Sequence, residues 1–336
     1  MQIKNFIGID ISKKTLDITL LDSQGKQLYY QQIDNAPQKI KSAFSGLFRQ
    51  FKLKIQEVVF CMEYTGIYNL PLVNYLNHLK ALIWMESGTQ ISKSMGLVRG
   101  KSDKVDSSRI AHYALSNRHK MKLWTPSREV IGRIAALLTQ RSRFIKAKKQ
   151  LSVPVEEQKN FLDKIALKSI IEHNKKPVAT LIEAINKIEK QLLDLVKEDQ
   201  NLNRLYKIIT SVDGVGQITA LNLITTTNEF LNITDAKKYA CYSGVAPFMH
   251  TSGTSIRGKT RVSHMANKKM KTLLHMAALA AIQVKGGIKD FYERKVSQGK
   301  SKMSVLNAVR NKIIQRVFAC VKQSRPYIKN LQICLD

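Results

Sequence analysis

Acidic residues are scarce in this chain: 25 Asp and Glu stand against 55 Lys and Arg in 336 residues, a formal net charge of +30. That imbalance argues against basic partners and for a polyanion, and nucleic acid is the polyanion a globular protein of this kind meets. No run of about 18 apolar residues occurs, which excludes a simple membrane-spanning helix. The opening Met1-Gln2-Ile3-Lys4-Asn5 runs straight into a strand-like stretch, with neither the apolar region nor the cleavage site of a secretory signal. Only four cysteines are present (Cys61, Cys241, Cys320 and Cys334), too dispersed for a paired metal motif, so the expectation is reduced thiols in a cytoplasmic, nucleoid-associated bacterial or archaeal protein. The Gly-x-Ser-x-Gly elbow of serine hydrolases is missing, as are internal repeats and low-complexity tracts.

What is there is a 44% apolar chain, enough for a sizeable core in two domains or one large one. Ile7, Ile9 and Ile11, then Leu16, Ile18 and Leu20, recur at period two. The turn former Asp22-Ser23-Gln24-Gly25 follows, and a return strand runs from Lys26 to Ile33. Pro37 to Phe51 has helical spacing, Glu57 to Met62 is a short buried strand, Ile67 to Leu79 is helical, and Ala81 to Met85 is another strand. Residues 101 to 116 read as a helix. Strand pairs alternating with helices predict an α/β domain over 1–122. Residues 123–200 carry the stripes Ile131, Ile134, Leu137, Leu138 and Leu181, Ile185, Ile188, Leu192, Leu195. These predict two long coiled-coil helices broken near Ser152-Val153-Pro154, either a spacer or a dimerisation arm. Residues 201–336 form a third, mainly helical domain. Its last hundred residues, 237–336, hold 20 Lys and Arg against three acids, with a glycine- and serine-rich loop at 243–260.

The few acids sit in telling places. Asp10 ends the first apolar strand, where Gly8 admits another backbone or a phosphate. Glu63 ends a second strand, at the carboxyl edge where α/β sheets bind ligands. Asp103 and Asp106 share one face of a helix. Four carboxylates aimed at one point suit two Mg²⁺ ions about 4 Å apart, clamping a phosphodiester. The same helix bears Arg99, Lys101, Lys104 and Arg109, either backbone contacts or offsets to the aspartates. Leu205 to Ala220 reads as a helix-hairpin-helix around Gly214-Val215-Gly216. Its open N–H groups suit phosphate, although an ordinary tight helix–helix turn would read the same. The serine loop, followed by Arg257, Lys259 and Arg261, is a phosphate binder or a nucleophile carrier.

In that order, strand-Asp10, strand-Glu63, helix-Asp103-x-x-Asp106, coiled coil, hairpin and Gly244-Val245-Ala246-Pro247 with a downstream Thr-Ser-Gly, the chain resembles the DEDD transposases of insertion sequence family 110, described as bridge-RNA-guided recombinases. The resemblance spans nearly the whole chain. It implies a RuvC-like (RNase H-like) domain whose Asp10, Glu63, Asp103 and Asp106 are catalytic and hold Mg²⁺. It also implies a C-terminal transposase domain with a catalytic serine, double-stranded donor and target DNA, a structured guide RNA, and a homo-oligomer (dimer or tetramer) with a composite active site. The serine would form a covalent phosphoserine. Ser252 matches best, although Thr251 and Thr254 depart from the family's Ser-Ser-Gly-Gly, and Ser255, Ser243 and Ser263 remain alternatives. Lys268 and Lys269, with Gly258 and Lys271, fall where the family carries basic residues near nucleic acid. Two other functions compete: a RuvC-like metal-dependent nuclease using water, and a non-catalytic nucleic-acid binder on a decayed nuclease fold.

Overall fold

The computed structural model describes residues 3–94, 96, 103–252 and 256–328, with backbone alone for 250–252, 256, 257 and 259. The chain divides into two compact units, Met1–Pro126 and Ser127–Asp336.

The first unit is built on five strands: β1 (Asn5–Ile11), β2 (Thr15–Asp22), β3 (Gln27–Asp34), β4 (Val58–Glu63) and β5 (Leu82–Glu86), in the order β3-β2-β1-β4-β5. β2 runs antiparallel to both β1 and β3, while β1, β4 and β5 are parallel. This mixed order is the RNase H-like, RuvC-like arrangement expected from the sequence. Period two sorts the sheet into two faces. Ile7, Ile9, Leu16, Ile18, Phe60 and Met62 pack with Ile40, Phe44 and Leu47 of α1 (Pro37–Gln50) and Leu72, Val73 and Leu76 of α2 (Leu70–His78). On the opposite face, Phe6, Leu21, Val59, Cys61 and Trp84 pack with Ile91 of α3 (Gly88–Ser94) and with Ile110, Ala111, Tyr113 and Ala114 of α4 (Asp103–Ser116).

Gly8 sets how closely α4 lies on the sheet. A Cβ at Gly8 would stand 2.2 Å from the Ala111 nitrogen and 2.3 Å from the Ser107 carbonyl oxygen. The helix backbone therefore rests directly on the strand, as it can only where the strand has no side chain. The hydroxyls of Thr19 and Ser107, 2.8 Å apart and buried, fix the register of helix on sheet.

The second unit opens with two long helices, α5 (Glu129–Gln158) and α6 (Lys164–Glu198), packed antiparallel within one chain. Arg141 bonds Glu189 at 2.7 Å and Asn174 bonds the Leu151 carbonyl at 3.1 Å. The expected break near Ser152-Val153-Pro154 is not there. α5 continues through Pro154 to Gln158, because a proline removes one N–H from the helical ladder and here does not end it. The chain instead reverses over residues 159–163, where Asp163 caps α6 through the backbone N–H groups of Ile165 and Ala166. Only the base of the hairpin has a core. Ile131, Ile134 and Leu138 with Ile188, Leu192 and Val196 join the apolar centre of the following helices. Those are α7 (Gln200–Thr210), α8 (Gln217–Thr227), α9 (Ala236–Tyr242), α10 (Lys268–Ala281), α11 (Gly287–Ser297) and α12 (Lys302–Lys322). Arg128 ties the start of this unit together, bonding Glu229 at 2.8 Å and reaching Asp199, the cap of α7. In α12, Val305, Val309, Ile313 and Val317 are all core residues.

The 243–260 segment, expected as a loop, contains an antiparallel ribbon: β6 (Pro247–Ser252) and β7 (Ile256–Val262). Its turn-forming Gly and Ser hid two short strands whose Phe, Thr, Ile and Val residues suit a pleated surface.

Candidate active site

The registry of the sheet brings the acids together. Asp10 pairs with Asp17 across β1 and β2, and Glu63 pairs with Glu86 across β4 and β5. Ile9 pairs with Met62, so Asp10 and Glu63 are the next step along two parallel strands. A row Asp17, Asp10, Glu63, Glu86 thus crosses four neighbouring strands at one edge. All four belong to the face that α4 covers, and that helix adds Asp103 and Asp106 from its first turn.

Directly opposed like charges on a sheet are unfavourable, and the environment of each acid shows how the row is tolerated. Asp17 is buried, accepting hydrogen bonds from the Tyr30 hydroxyl at 2.6 Å and from the Gln32 amide at 3.1 Å. The bond to Asp17, helped by burial, pushes the Tyr30 phenol up to about 12. Glu86 accepts from Ser87 N–H at 2.9 Å and from the Tyr113 hydroxyl at 3.2 Å. Asp106 is paired with Arg109 at 2.8 Å. The Glu63 carboxylate lies over Gly88, where a Cβ would stand 2.6 Å from either oxygen.

Asp10 is the strained member. Desolvation first, then the charges of Asp106, Asp103, Glu63 and Asp17, raise its carboxyl to about 6. The four acids picked out in the sequence therefore share one electrostatic neighbourhood. As they stand, no three His, Cys, Asp or Glu side chains among the described residues are close enough to hold one ion. Backbone placement is convergent, while the Asp106 side chain is turned to Arg109. The set is all hard carboxylate oxygen and its central acid is repelled by its neighbours, so a divalent cation is the group that fits it.

The sequence reading missed Asp17 and Glu86. The signal was present for Asp17, which alternates with Leu16 and Ile18, but its place beside Asp10 depends on the antiparallel register of β1 and β2.

The expected nucleic-acid contacts fall in several places. Lys104 stands over the Tyr30 ring at 5.0 Å from its centroid, and Arg109 is held by Asp106. Lys101, and Arg99 with it, lies outside the described residues. Gly214, at φ +82°, is used for packing: a Cβ there would stand 2.1 Å from the Ala277 carbonyl oxygen of α10. Gly216 caps α8, and its would-be Cβ meets nothing within 4 Å, so that helix start is open. Lys268 and Lys269 begin α10. Burial, then the nearby charge of Arg141, draws the Lys269 ammonium below the usual lysine range. Arg257, Lys259 and Arg261 lie along β7, and Arg261 is exposed.

Ser252 is the last residue of β6, paired with Ile256, and Ser255 lies outside the described residues. Ser243 is fully buried with its hydroxyl given to the Tyr239 carbonyl at 2.9 Å, which removes it as a nucleophile. Ser263 accepts from the Met265 N–H. Asn307 of α12 holds the Val245 carbonyl at 2.9 Å, fixing the chain two residues before β6.

Two family models match. A DEDD transposase model of the IS110 type covers residues 7–164, and a model described as "Transposase IS116/IS110/IS902 family" covers 206–293. The pilin gene-inverting protein of Moraxella lacunata is 24% identical over 332 residues, 98% of this chain and 99% of that one. Its Moraxella bovis counterpart is 25% identical over 342 residues, again 98% and 99%. An uncharacterized 43.6 kDa IS110 protein of Streptomyces coelicolor is 25% identical over 150 residues, 45% of this chain and 37% of that one. Among solved structures, Thermus thermophilus RuvC bound to a Holliday junction substrate matches 36% of this chain and 99% of its own, at 11% identity and a TM-score of 0.29.

Proposed function

Because the chain belongs to the IS110 family of DEDD transposases, we propose that it is the RNA-guided recombinase of an insertion sequence, which cuts and exchanges strands of donor and target DNA through Asp10, Glu63, Asp103, Asp106 and Ser252. The observation that carries this reading is the convergence of four acids from two strands and a helix on Asp10, in a chain of net charge +30.

Asp10, Glu63, Asp103 and Asp106 would hold Mg²⁺, two ions by the number of carboxylates. Mg²⁺ in such a site offsets the charge that builds on phosphate oxygens and eases deprotonation of an attacking hydroxyl. The Glu63 carboxylate lies against Gly88 at the sheet edge, and Asp106, paired with Arg109, would turn from it to hold the ion. In the first step the Ser252 Oγ attacks phosphorus. The Oγ–P bond forms, the P–O3′ bond breaks, and the 3′ oxygen leaves as a hydroxyl with the proton the serine gave up. In the second, a 3′-hydroxyl from the other strand attacks the phosphoserine, restoring a phosphodiester and returning the proton to the serine. Bond count is conserved, so exchange needs no external energy source. A structured RNA supplies sequence choice by base pairing, and Lys104, Arg109, the open start of α8 at Gly216, Arg257, Lys259, Arg261, Lys268 and Lys269 bind backbone phosphates. The serine of one subunit works with the acids of another in a homo-oligomer.

The full-length match to two pilin gene-inverting proteins favours a second use of the same chemistry, inversion of a segment within one DNA molecule. Recombination of two plasmid-borne sites in the presence of the element's flanking RNA tests both. Exchange is expected only with RNA and not with Ser252→Ala, and site orientation distinguishes inversion from insertion. Exchange without RNA would remove the guide, full exchange by Ser252→Ala would remove the serine, and cleavage without exchange in both parent and variant would leave a water-using nuclease.

A further inference from the structure

The segment that follows Glu63 is unusual in what it shows to solvent. Tyr64 is 71% exposed, Ile67 72%, Leu70 53% and Tyr68 37%. Large apolar side chains clustered within seven residues on a surface cost solvation free energy unless something covers them.

This is also a pinned segment. Asn69, buried at its base, accepts from both the N–H and the hydroxyl of Thr65 at 2.7 Å, and its amide donates to the Glu63 carbonyl at 2.7 Å. Tyr64 N–H bonds the Glu86 carbonyl at 3.1 Å, and Asn35 bonds the Tyr68 carbonyl at 3.0 Å. Gly66, at φ +79°, makes the tight turn. The backbone is thus fixed to two of the acid-bearing strands while the apolar tips face outward.

We propose that Tyr64, Ile67, Tyr68 and Leu70 form a base-stacking ridge that grips unpaired nucleobases beside the phosphate at the carboxylate edge. This rests on the reading of that edge as a nucleic-acid site. Phosphate contacts alone leave the bases stacked in a duplex, whereas strand exchange needs them separated. Aromatic rings on a rigid support take up bases of any sequence, and aliphatic wedges hold a step open. Charge selects the occupant. The chain carries a net charge of +30, and a nucleic acid brings the opposite sign.

The test is equilibrium binding of a mixed-sequence single-stranded 20-mer and of the same sequence as duplex, by fluorescence anisotropy, in EDTA so that no strand is cut. Full-length Tyr64→Ser/Ile67→Ser is expected to lose roughly 10- to 100-fold in single-strand affinity, with duplex affinity within about twofold and Tyr64→Phe unchanged. The side chains are exposed, so the melting temperature should hold. Equal affinity of variant and parent for the single strand would overturn the ridge. So would a fall in sedimentation mass of the free variant, which would make the surface an interface between copies. Asp10→Asn, measured alongside, separates the two claims: it is expected to bind both probes and exchange neither, and an active Asp10→Asn would fail the carboxylate reading while leaving the ridge result standing.

Discussion

Asp10→Asn is expected to reduce strand exchange on the order of 10³-fold or more, while raising the melting temperature of the metal-free chain at pH 7.5. The two effects have one origin. The folded Asp10 carboxyl keeps its proton to about pH 6, where the unfolded one releases it near 3.8. Between those values the native state binds more protons, so its stability falls as pH rises through that window. At pH 7.5 the charge is carried in full against Asp106, Asp103, Glu63 and Asp17, and asparagine removes it with little change of shape. The repulsion that destabilises the fold is what makes the site receptive to a cation. Mg²⁺ is accordingly expected to raise the melting temperature of the parent protein at pH 7.5, much less at pH 5, and not at all in Asp10→Asn. A variant that melts lower than the parent in EDTA would mean that Asp10 is structural, held by favourable contacts.

Gly8→Ala is expected to destabilise the first unit by about 3 kcal/mol, a fall in melting temperature of roughly 6–12 °C. The added methyl meets Ala111 and Ser107 backbone atoms at 2.2 and 2.3 Å, and backbone on both sides cannot yield as a flexible side chain would. Relief requires lifting α4, which also breaks the buried Thr19–Ser107 hydrogen bond and carries Asp103 and Asp106 away from Asp10. Strand exchange should therefore fall more steeply than folded fraction. Mg²⁺ titration followed by thermal melting reads the same displacement without turnover, as weaker cation binding in Gly8→Ala than in the parent. An alanine variant that melts within 2 °C of the parent and keeps its Mg²⁺ response would contradict this packing.

Much of the first unit was legible because its two sheet faces are written at period two, and because acids are rare enough for Asp10, Glu63, Asp103 and Asp106 to stand out. Gly8 was read as a point of close approach, and a helix backbone occupies it. Asp17 and Glu86 were not read, since each matters only through the strand it is paired with, and pairing is a long-range fact. The reversal after α5 was misplaced because Pro154 is a strong local signal that the surrounding helix overrides. The ribbon at 247–262 was hidden by glycine and serine, which favour turns locally while the intervening residues pair across them. The stripe Ile131, Ile134, Leu138 reads equally as a free coiled coil or as part of a larger core. Its membership in the α7–α12 core is settled by packing that no local pattern encodes.

The most direct test of the central claim is a denaturing gel of the protein incubated with Mg²⁺, its flanking RNA and labelled donor and target DNA. A covalent protein–DNA adduct is expected, absent in Ser252→Ala and absent in Asp10→Asn. That pattern requires a serine nucleophile and the acidic site together. Cleavage without an adduct, undiminished in Ser252→Ala, would contradict it: the acids would then serve a water-using nuclease, and the β6–β7 ribbon would be left with phosphate binding alone.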